Sequence, residues 1–355
     1  MSERKVIIFD CLGGDSDIDE NAVAAAELIQ KERNALSLLL VGPEQALKDK
    51  LGSLGVRHIP DTIKFLDCHE QFSSHRSATE VVKEGKASIV QCLQLLKQGR
   101  GDAVVSAGHT GATFVASLLI LGRLPGVHRP ALAIVYPAMN GPTVLLDVGA
   151  NVDCKAAHLV NFVLMGCVYY AHAFKKDRFK KDRVSVGLLT NGEEAVKGTQ
   201  AVIQAHQEIQ KLQLPSWIDY RGHRDGSEMF GDCPNVLAVD GFVGNLLVKC
   251  VESLVSRFEV EFKKAFEKSS WPTKLGFSLS KQVWRALKTG VDYQQIGGAP
   301  LLGVNGTVTV CHGRSDGATI AQAIRRTAAI DLKAYHDALR QVLSAKGQAS
   351  TQESV

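Results

Sequence analysis

The sequence lacks any CxxC pair and any Cys/His cluster at metal-ligand spacing, although it holds eight cysteines, all scattered singly. That argues against a zinc site or a disulfide frame and predicts reduced thiols in a cytoplasmic protein. The longest apolar run noted, FVASLLILG at 114–122, is too short to span a bilayer. The N-terminal MSERKVIIFDCLGG runs straight into a strand, so no secretory leader is read there. Neither sign of charge dominates: a net charge of +4 is too mild to imply a nucleic-acid partner. No GxxxxGK[ST] loop and no GxGxxG fingerprint is present, which argues against a Walker nucleotidase and a nicotinamide dehydrogenase. No Ser-His-Asp set of the nucleophile-elbow type and no metal cluster is read, so neither metal nor cofactor is expected.

What is there is a recurring unit. Short apolar runs are each followed by Gly, Asp or Asn and then by a helical pattern. They are VIIF (6–9), LSLLLVG (36–42), AVVSAG (103–108), ALAIVY (131–136), TVLLDVG (143–149), VSVGLL (184–189), NVLAVDG (235–241) and VTVCHG (308–313). Helical periodicity covers 76–98, 111–122, 157–173, 193–212, 244–267 and 316–330. Runs that are apolar throughout imply strands buried on both faces, hence an α/β fold, a three-layer αβα sandwich around a largely parallel sheet. One catalytic domain is expected over 1–340, with a polar, frayed tail at 341–355. An arm at 246–292 stands apart, because Leu247, Val251, Leu254, Phe258, Phe262 and Phe266 step by three or four along one helix face. By itself this stripe reads first as packing against the body or against a second copy, and second as a helical hairpin whose tip touches a membrane surface.

Ligands of parallel α/β sheets bind beyond the carboxyl ends of the strands, and the glycine-rich turns all lie there. In SAGHTGAT (106–113) the candidates are Ser106, Gly108, His109, Thr110 and Gly111; amides at a helix start can hold a phosphate, or Thr110 is simply a helix cap. LLDVGANVDCKAAHLVNF (145–162) gathers Asp147, Asn151, Asp153, Lys155 and His158. NGEEAVKG (191–198) places Lys197 in what reads as the first turn of a helix, where a cation is disfavoured unless it reaches for an anion. DGFVGN (240–245) contributes Asp240 and Asn245, CHGRSDG (311–317) His312, and DCLGGD (10–15) Asp10 and Asp15. A site with amides, hydroxyls and one or two lysines suits an oxyanion or phosphate. The basic run KKDRFKK (175–181) is a solvated face or a landing place for an acidic protein.

SAGHTGAT, RPAL (129–132), LLDVGANVDCKAAHLV, GEE with KG (192–198), DGFVGN, GGAPLLG and HGRSDG resemble, in order and spacing, the bacterial phosphate acyltransferases of phospholipid synthesis. The resemblance runs from about residue 5 to about 330. It implies acyl-phosphate formation from acyl-[acyl-carrier protein] and inorganic phosphate on a Rossmann-like fold related to isopropylmalate dehydrogenase and phosphotransacetylase. It further implies a homodimer and peripheral membrane contact through a helical hairpin matching 247–290, which turns the reading of that arm from packing toward a membrane surface. Several stretches depart from the family's usual spelling: GGDSDI for GGDHAP, His109 for an asparagine, KEGKASI (83–89) for a basic segment ending in SSM, GEE for GTE, and DYRGHRD (219–225) for GNVEGRD. On this footing Ser106, Gly108, Thr110 and Gly111 are expected to cradle phosphate, Lys197 to offset charge, Asn245 to orient a reactant and Asp240 to fix its loop. Asn151 and His158 are the expected ligand-facing members of a wall sharing one sheet edge with the glycine loop. Two alternatives stay open: a phosphate acetyl- or butyryltransferase using coenzyme A, and a lapsed paralogue that binds membrane or partner without turnover.

Overall fold

A computed structural model describes residues 4–14, 18–31, 36–72, 77–174, 183–280, 282 and 297–352. The strands are β1 (Val6–Asp10), β2 (Ser37–Gly42), β3 (Ile63–Asp67), β4 (Ala103–Ser106), β5 (Ala131–Ala138), β6 (Gly141–Leu146), β7 (Val184–Thr190), β8 (Ile218–Asp225), β9 (Val236–Ala238), β10 (Ala299–Leu302) and β11 (Val308–Val310). The helices are α1 (Asp19–Lys31), α2 (Glu44–Ser53), α3 (Ala78–Glu84), α4 (Ser88–Lys97), α5 (Thr110–Ile120), α6 (Ala156–Phe174), α7 (Gln200–Lys211), α8 (Gly241–Lys268), α9 (Trp271–Leu279), α10 (Gly317–Ala329) and α11 (Leu332–Gln352).

One sheet runs in the order β3-β2-β1-β4-β11-β10-β5-β6-β9-β7-β8. Strands β3, β2, β1, β4 and β11 are mutually parallel. Three antiparallel pairings follow, β11 with β10, β10 with β5 and β5 with β6. They reverse the direction, so β6, β9, β7 and β8 form a second parallel group running opposite to the first. The carboxyl ends of the two groups therefore leave opposite edges of the sheet. Apolar residues fill both faces, as expected for strands covered by helices on each side.

Helix α6 is the hub of the core. It is long and apolar enough to cross a membrane by length and composition, yet 83% of that window is buried inside the fold. It lies close to β9, because a Cβ on Gly166 would stand 2.5 Å from a Val236 methyl. The segment 76–98, read as one helix, is two: Gly85 adopts φ 72° after α3, and Ser88 opens α4. The segment from 341, read as a frayed tail, is helical to Gln352.

Helix α8 leaves the body after Leu247 and Val248, in its second turn, have packed against the core. Of its 28 residues only Gly241 and Gly244 are buried. Leu254 and Phe258 are exposed, while Phe262 and Phe266 meet Phe277 of α9 at ring-centroid distances of 5.7 and 4.8 Å. The hairpin is thus held together by aromatic contacts of its own; most of the expected arm beyond 280 lies outside the described residues.

Candidate functional site

At the carboxyl ends of β1, β4 and β11 three glycine turns converge. A Cβ on Gly13 would meet the Gly108 amide nitrogen at 2.6 Å, and one on Gly14 the Gly313 carbonyl at 3.5 Å. Beneath this notch lies a buried polar knot. The Ser106 hydroxyl donates to Asp10 Oδ2 at 2.7 Å and accepts from the Gly108 amide at 3.0 Å. Burial pushes the Asp10 carboxyl above the usual range, with hydrogen bonds from Ser88 and Ser106 pulling it back. Ser106 is therefore committed to the loop's own structure. The amides of Thr110 and Gly111, in the first turn of α5, have no intrahelical acceptor and lie at the surface.

His109, not Thr110, caps α5: its Nδ1 accepts from the Ala112 amide at 3.3 Å. The ring does here what a short polar side chain more often does. His312 is exposed at the end of β11, with Nδ1 accepting from the Arg314 amide at 3.1 Å. Asp15 lies outside the described residues, as does KKDRFKK. Asp10, noted in the sequence as closing the first strand, supports this loop through Ser106 and the Leu12 amide. GRSDG (313–317) has the spelling of a nucleophile elbow, but no hydrogen bond joins the half-buried Ser315 hydroxyl to another described residue, and Asp316 is the cap of α10.

The second group sits at the carboxyl ends of β6, β7 and β9. Asp147 is fully buried; Oδ1 accepts from the amides of Leu132 (2.9 Å) and Ala150 (3.2 Å), and Oδ2 from the Asn151 amide (2.7 Å) and side chain (2.9 Å). Burial nevertheless holds its pKa above the usual range. Asn151 also donates to the Pro130 carbonyl at 2.8 Å, so it braces the turn. His158 is buried, its Nδ1 accepting from the Lys155 amide at 3.1 Å, and burial followed by Arg129 and His128 lowers its pKa. Asp240 caps α8 through the Phe242 amide (2.9 Å) and holds the Cys154 amide (3.1 Å). Asn245 is exposed and stands against Gly149, where a Cβ would lie 3.3 Å from its side chain.

Lys197 does not lie in a helix. Gly198 turns at φ 101° and Thr199 caps α7, which starts only at Gln200. The lysine projects from an exposed loop instead, and Val196 beside it is 78% exposed.

The expectation that all these residues share one sheet edge is not met. Between β4 and β6 lie β11, β10 and β5. Four strand spacings amount to about 19 Å, and the two groups leave edges of opposite direction. The reason is the triple antiparallel crossing at β10 and β5, whose apolar strands carry no mark of direction.

The family model described as fatty acid synthesis protein matches residues 5–334. A phosphate acyltransferase of Pelotomaculum thermopropionicum is 37% identical over 325 residues, covering 90% of this chain and 89% of its own. One of Campylobacter jejuni is 38% identical over 318 residues, covering 90% and 92%. The chain belongs to the bacterial phosphate acyltransferase family. Among solved structures, a phosphotransacetylase from Streptococcus pyogenes matches with a TM-score of 0.58 at 17% identity, covering 93% of this chain and 94% of that one. Another from Staphylococcus aureus has a TM-score of 0.55 at 15% identity, covering 92% and 94%. At such identities the likeness is one of fold.

Proposed function

We propose that this chain transfers a long-chain acyl group from acyl-[acyl carrier protein] to inorganic phosphate, giving acyl-phosphate for phospholipid synthesis. The observation that carries the reading is the notch at β1, β4 and β11, where exposed first-turn amides meet close-packed glycines, in a member of this family.

Phosphate is a competent nucleophile near neutral pH, so no covalent enzyme intermediate is needed. A phosphate oxygen attacks the thioester carbonyl carbon, the C–O bond forms, and a tetrahedral oxyanion develops. The C–S bond then breaks and the pantetheine thiolate leaves, taking a proton from solvent. The protein holds phosphate against the carbonyl and stabilises the oxyanion. The Thr110 and Gly111 amides and the Thr110 hydroxyl hold phosphate at the notch, with His312 and His109 at its rim. Lys197 offsets charge on the oxyanion and Asn245 orients the acyl donor, on a platform fixed by Asp240, Asn151 and Asp147.

Within one chain the two groups leave opposite edges, so this division of labour calls for a homodimer in which the Lys197 edge of one copy faces the notch of the other. The exposed stripe of α8 and the exposed Trp271 and Leu275 of α9 support peripheral contact with the cytoplasmic membrane by the arm.

The test is acyl-phosphate formation by the purified protein from phosphate and either long-chain acyl-[acyl carrier protein] or acyl-coenzyme A. Activity with the carrier-protein thioester is expected; preference for short acyl-coenzyme A would replace this reading with a phosphotransacylase, and turnover of neither would make the chain a lapsed paralogue. Lys197→Ala and Asn245→Ala are each expected to lose about 100-fold in rate. Folded variants with the wild-type rate would remove both residues from the site.

A further inference from the structure

The loop that carries Lys197 is tied to its neighbours at few points. At its start the Thr190 hydroxyl donates to the Gly192 carbonyl at 2.7 Å and accepts from the Gly192 amide at 3.1 Å. At its end Thr199 caps α7. Between them, the Glu194 carbonyl accepts the Lys197 amide at 2.9 Å. The same carbonyl lies 2.9 Å from His223 Nδ1 on β8. A carbonyl can only accept, so His223 carries its proton on Nδ1 and donates. The loop is folded tightly over this point: a Cβ on Gly192 would lie 2.8 Å from a Glu194 carboxylate oxygen and 3.1 Å from Lys197 Cγ.

The strand is shaped to deliver that ring. Pairing of β7 with β8 shifts register between Val186 and Leu188, which face Tyr220 and His223. Gly187 alone on β7 thus stands against Arg221 and Gly222 on β8, and Gly222 absorbs the extra residue at φ 74°. The bulge turns His223 inward, leaving it 3% exposed. Its ring packs 4.5 Å from the His206 ring, and His206 is itself fixed by the Tyr220 hydroxyl at 2.8 Å. His223 Nε2 is buried and has no hydrogen-bond partner among the described residues. Among the described residues, the ring's one hydrogen bond is therefore the one through Nδ1 to the lysine loop.

We propose that His223 is a positioning residue for Lys197, acting through the Glu194 carbonyl. The inference rests on the reading of Lys197 as the group that offsets charge in acyl transfer. His223 touches neither substrate; it sets where the lysine loop stands.

The test is a double-mutant cycle read by acyl-phosphate formation with phosphate varied, alongside melting curves. His223→Phe, which keeps the ring volume and loses the donor, is expected to lower kcat/KM about tenfold, the range set by one lost hydrogen bond. In the Lys197→Ala background the same change is expected to cost less than about twofold, because the residue it positions is gone. His223→Asn places an amide nitrogen near the former Nδ1 and is expected to recover activity to within about threefold; His223→Gln reaches the Nε2 position instead and is expected not to. Equal losses in the two backgrounds, or equal behaviour of the Asn and Gln variants, would overturn the proposal. If Lys197→Ala alone keeps the wild-type rate, the catalytic reading of Lys197 fails and the proposal falls with it. If Lys197→Ala loses activity and His223→Phe does not, only the role of His223 fails. Should His223→Phe melt before assay temperature, the Asn and Gln pair decides.

Discussion

Gly244 sits so close beneath Asp147 that the space for a β-carbon on the glycine is already held by the Asp147 carbonyl oxygen. Gly241, one helical turn earlier, is crowded in the same way by the Asn151 carbonyl. The first turn of α8 is therefore pressed against the turn after β6, and backbone on backbone cannot yield as a side chain would. Gly244→Ala is expected to destabilise the protein by about 3 kcal/mol or more, at the upper end of overpacking costs. Urea unfolding measures it, and a midpoint equal to wild type would show that the two turns are not in contact.

Ser106 and Asp10 make a second prediction. Because burial raises the folded-state pKa of Asp10, its ionised form is the costly one, and that cost appears as pH rises. The Ser106 hydroxyl is a donor that eases it. Ser106→Ala should therefore cost about 1–3 kcal/mol at pH 8 and progressively less toward acid, as the carboxyl takes up its proton. Denaturant unfolding across that range checks the sign; a loss that grows toward acid would contradict it.

His109 caps α5 through a ring nitrogen. Asparagine is a better helix cap, so His109→Asn should stabilise the protein by about 0.5 kcal/mol. Acyl-phosphate formation should be retained, since the Thr110 and Gly111 amides keep their place. A large loss of activity in a stable variant would assign the imidazole a direct part in the reaction.

His336, on α11, accepts or donates at Nε2 to the Thr307 hydroxyl at 3.2 Å, and its Nδ1 is buried without a partner among the described residues. Burial, and then Arg340, pushes its pKa down to about 4. The unfolded chain takes a proton near pH 6.5 that the folded protein resists. The stability of the neutral ring is thus present above pH 6.5 and lost as pH falls toward 4, by no more than about 3 kcal/mol. His336→Leu should flatten that acid limb of the stability curve, measured by urea unfolding at pH 7 and 4.5. An unchanged slope would show that the ring titrates normally.

Much of this was legible in the sequence, and the gaps have physical causes. Strands buried on both faces, such as β4 and β7, announce themselves as unbroken apolar runs. The edge strands β3 and β8 do not, because IKFLD and IDYRGHRD alternate apolar with charged residues as half-solvated strands do. The glycine loop, the Asp147 turn and Lys197 are legible as candidate ligand sites, but the helical pattern from 193 runs on across Gly198 and Thr199, where the chain turns before α7. Strand direction was not legible. Nothing in ALAIVYPA or APLL says which way it runs, and that alone decides whether Ser106 and Lys197 face the same side of the sheet. Asp240 and Asn151 look catalytic as residue types, yet each is engaged in holding backbone amides or carbonyls.

Helix α8 has 28 residues, and at 1.5 Å per residue it is a rod about 42 Å long. It is seated only near its start, on Gly241 and Gly244 and then Leu247 and Val248 against the core, with Asp240 as the pin. A rod seated at one end is a lever: whatever grips the Phe258 region works, with a long mechanical arm, on the contact between the helix start that carries Asn245 and the turn that carries Asp147. A modest sideways force there becomes a large torque at the two glycines, where the helix and the β6 turn have no room to slide.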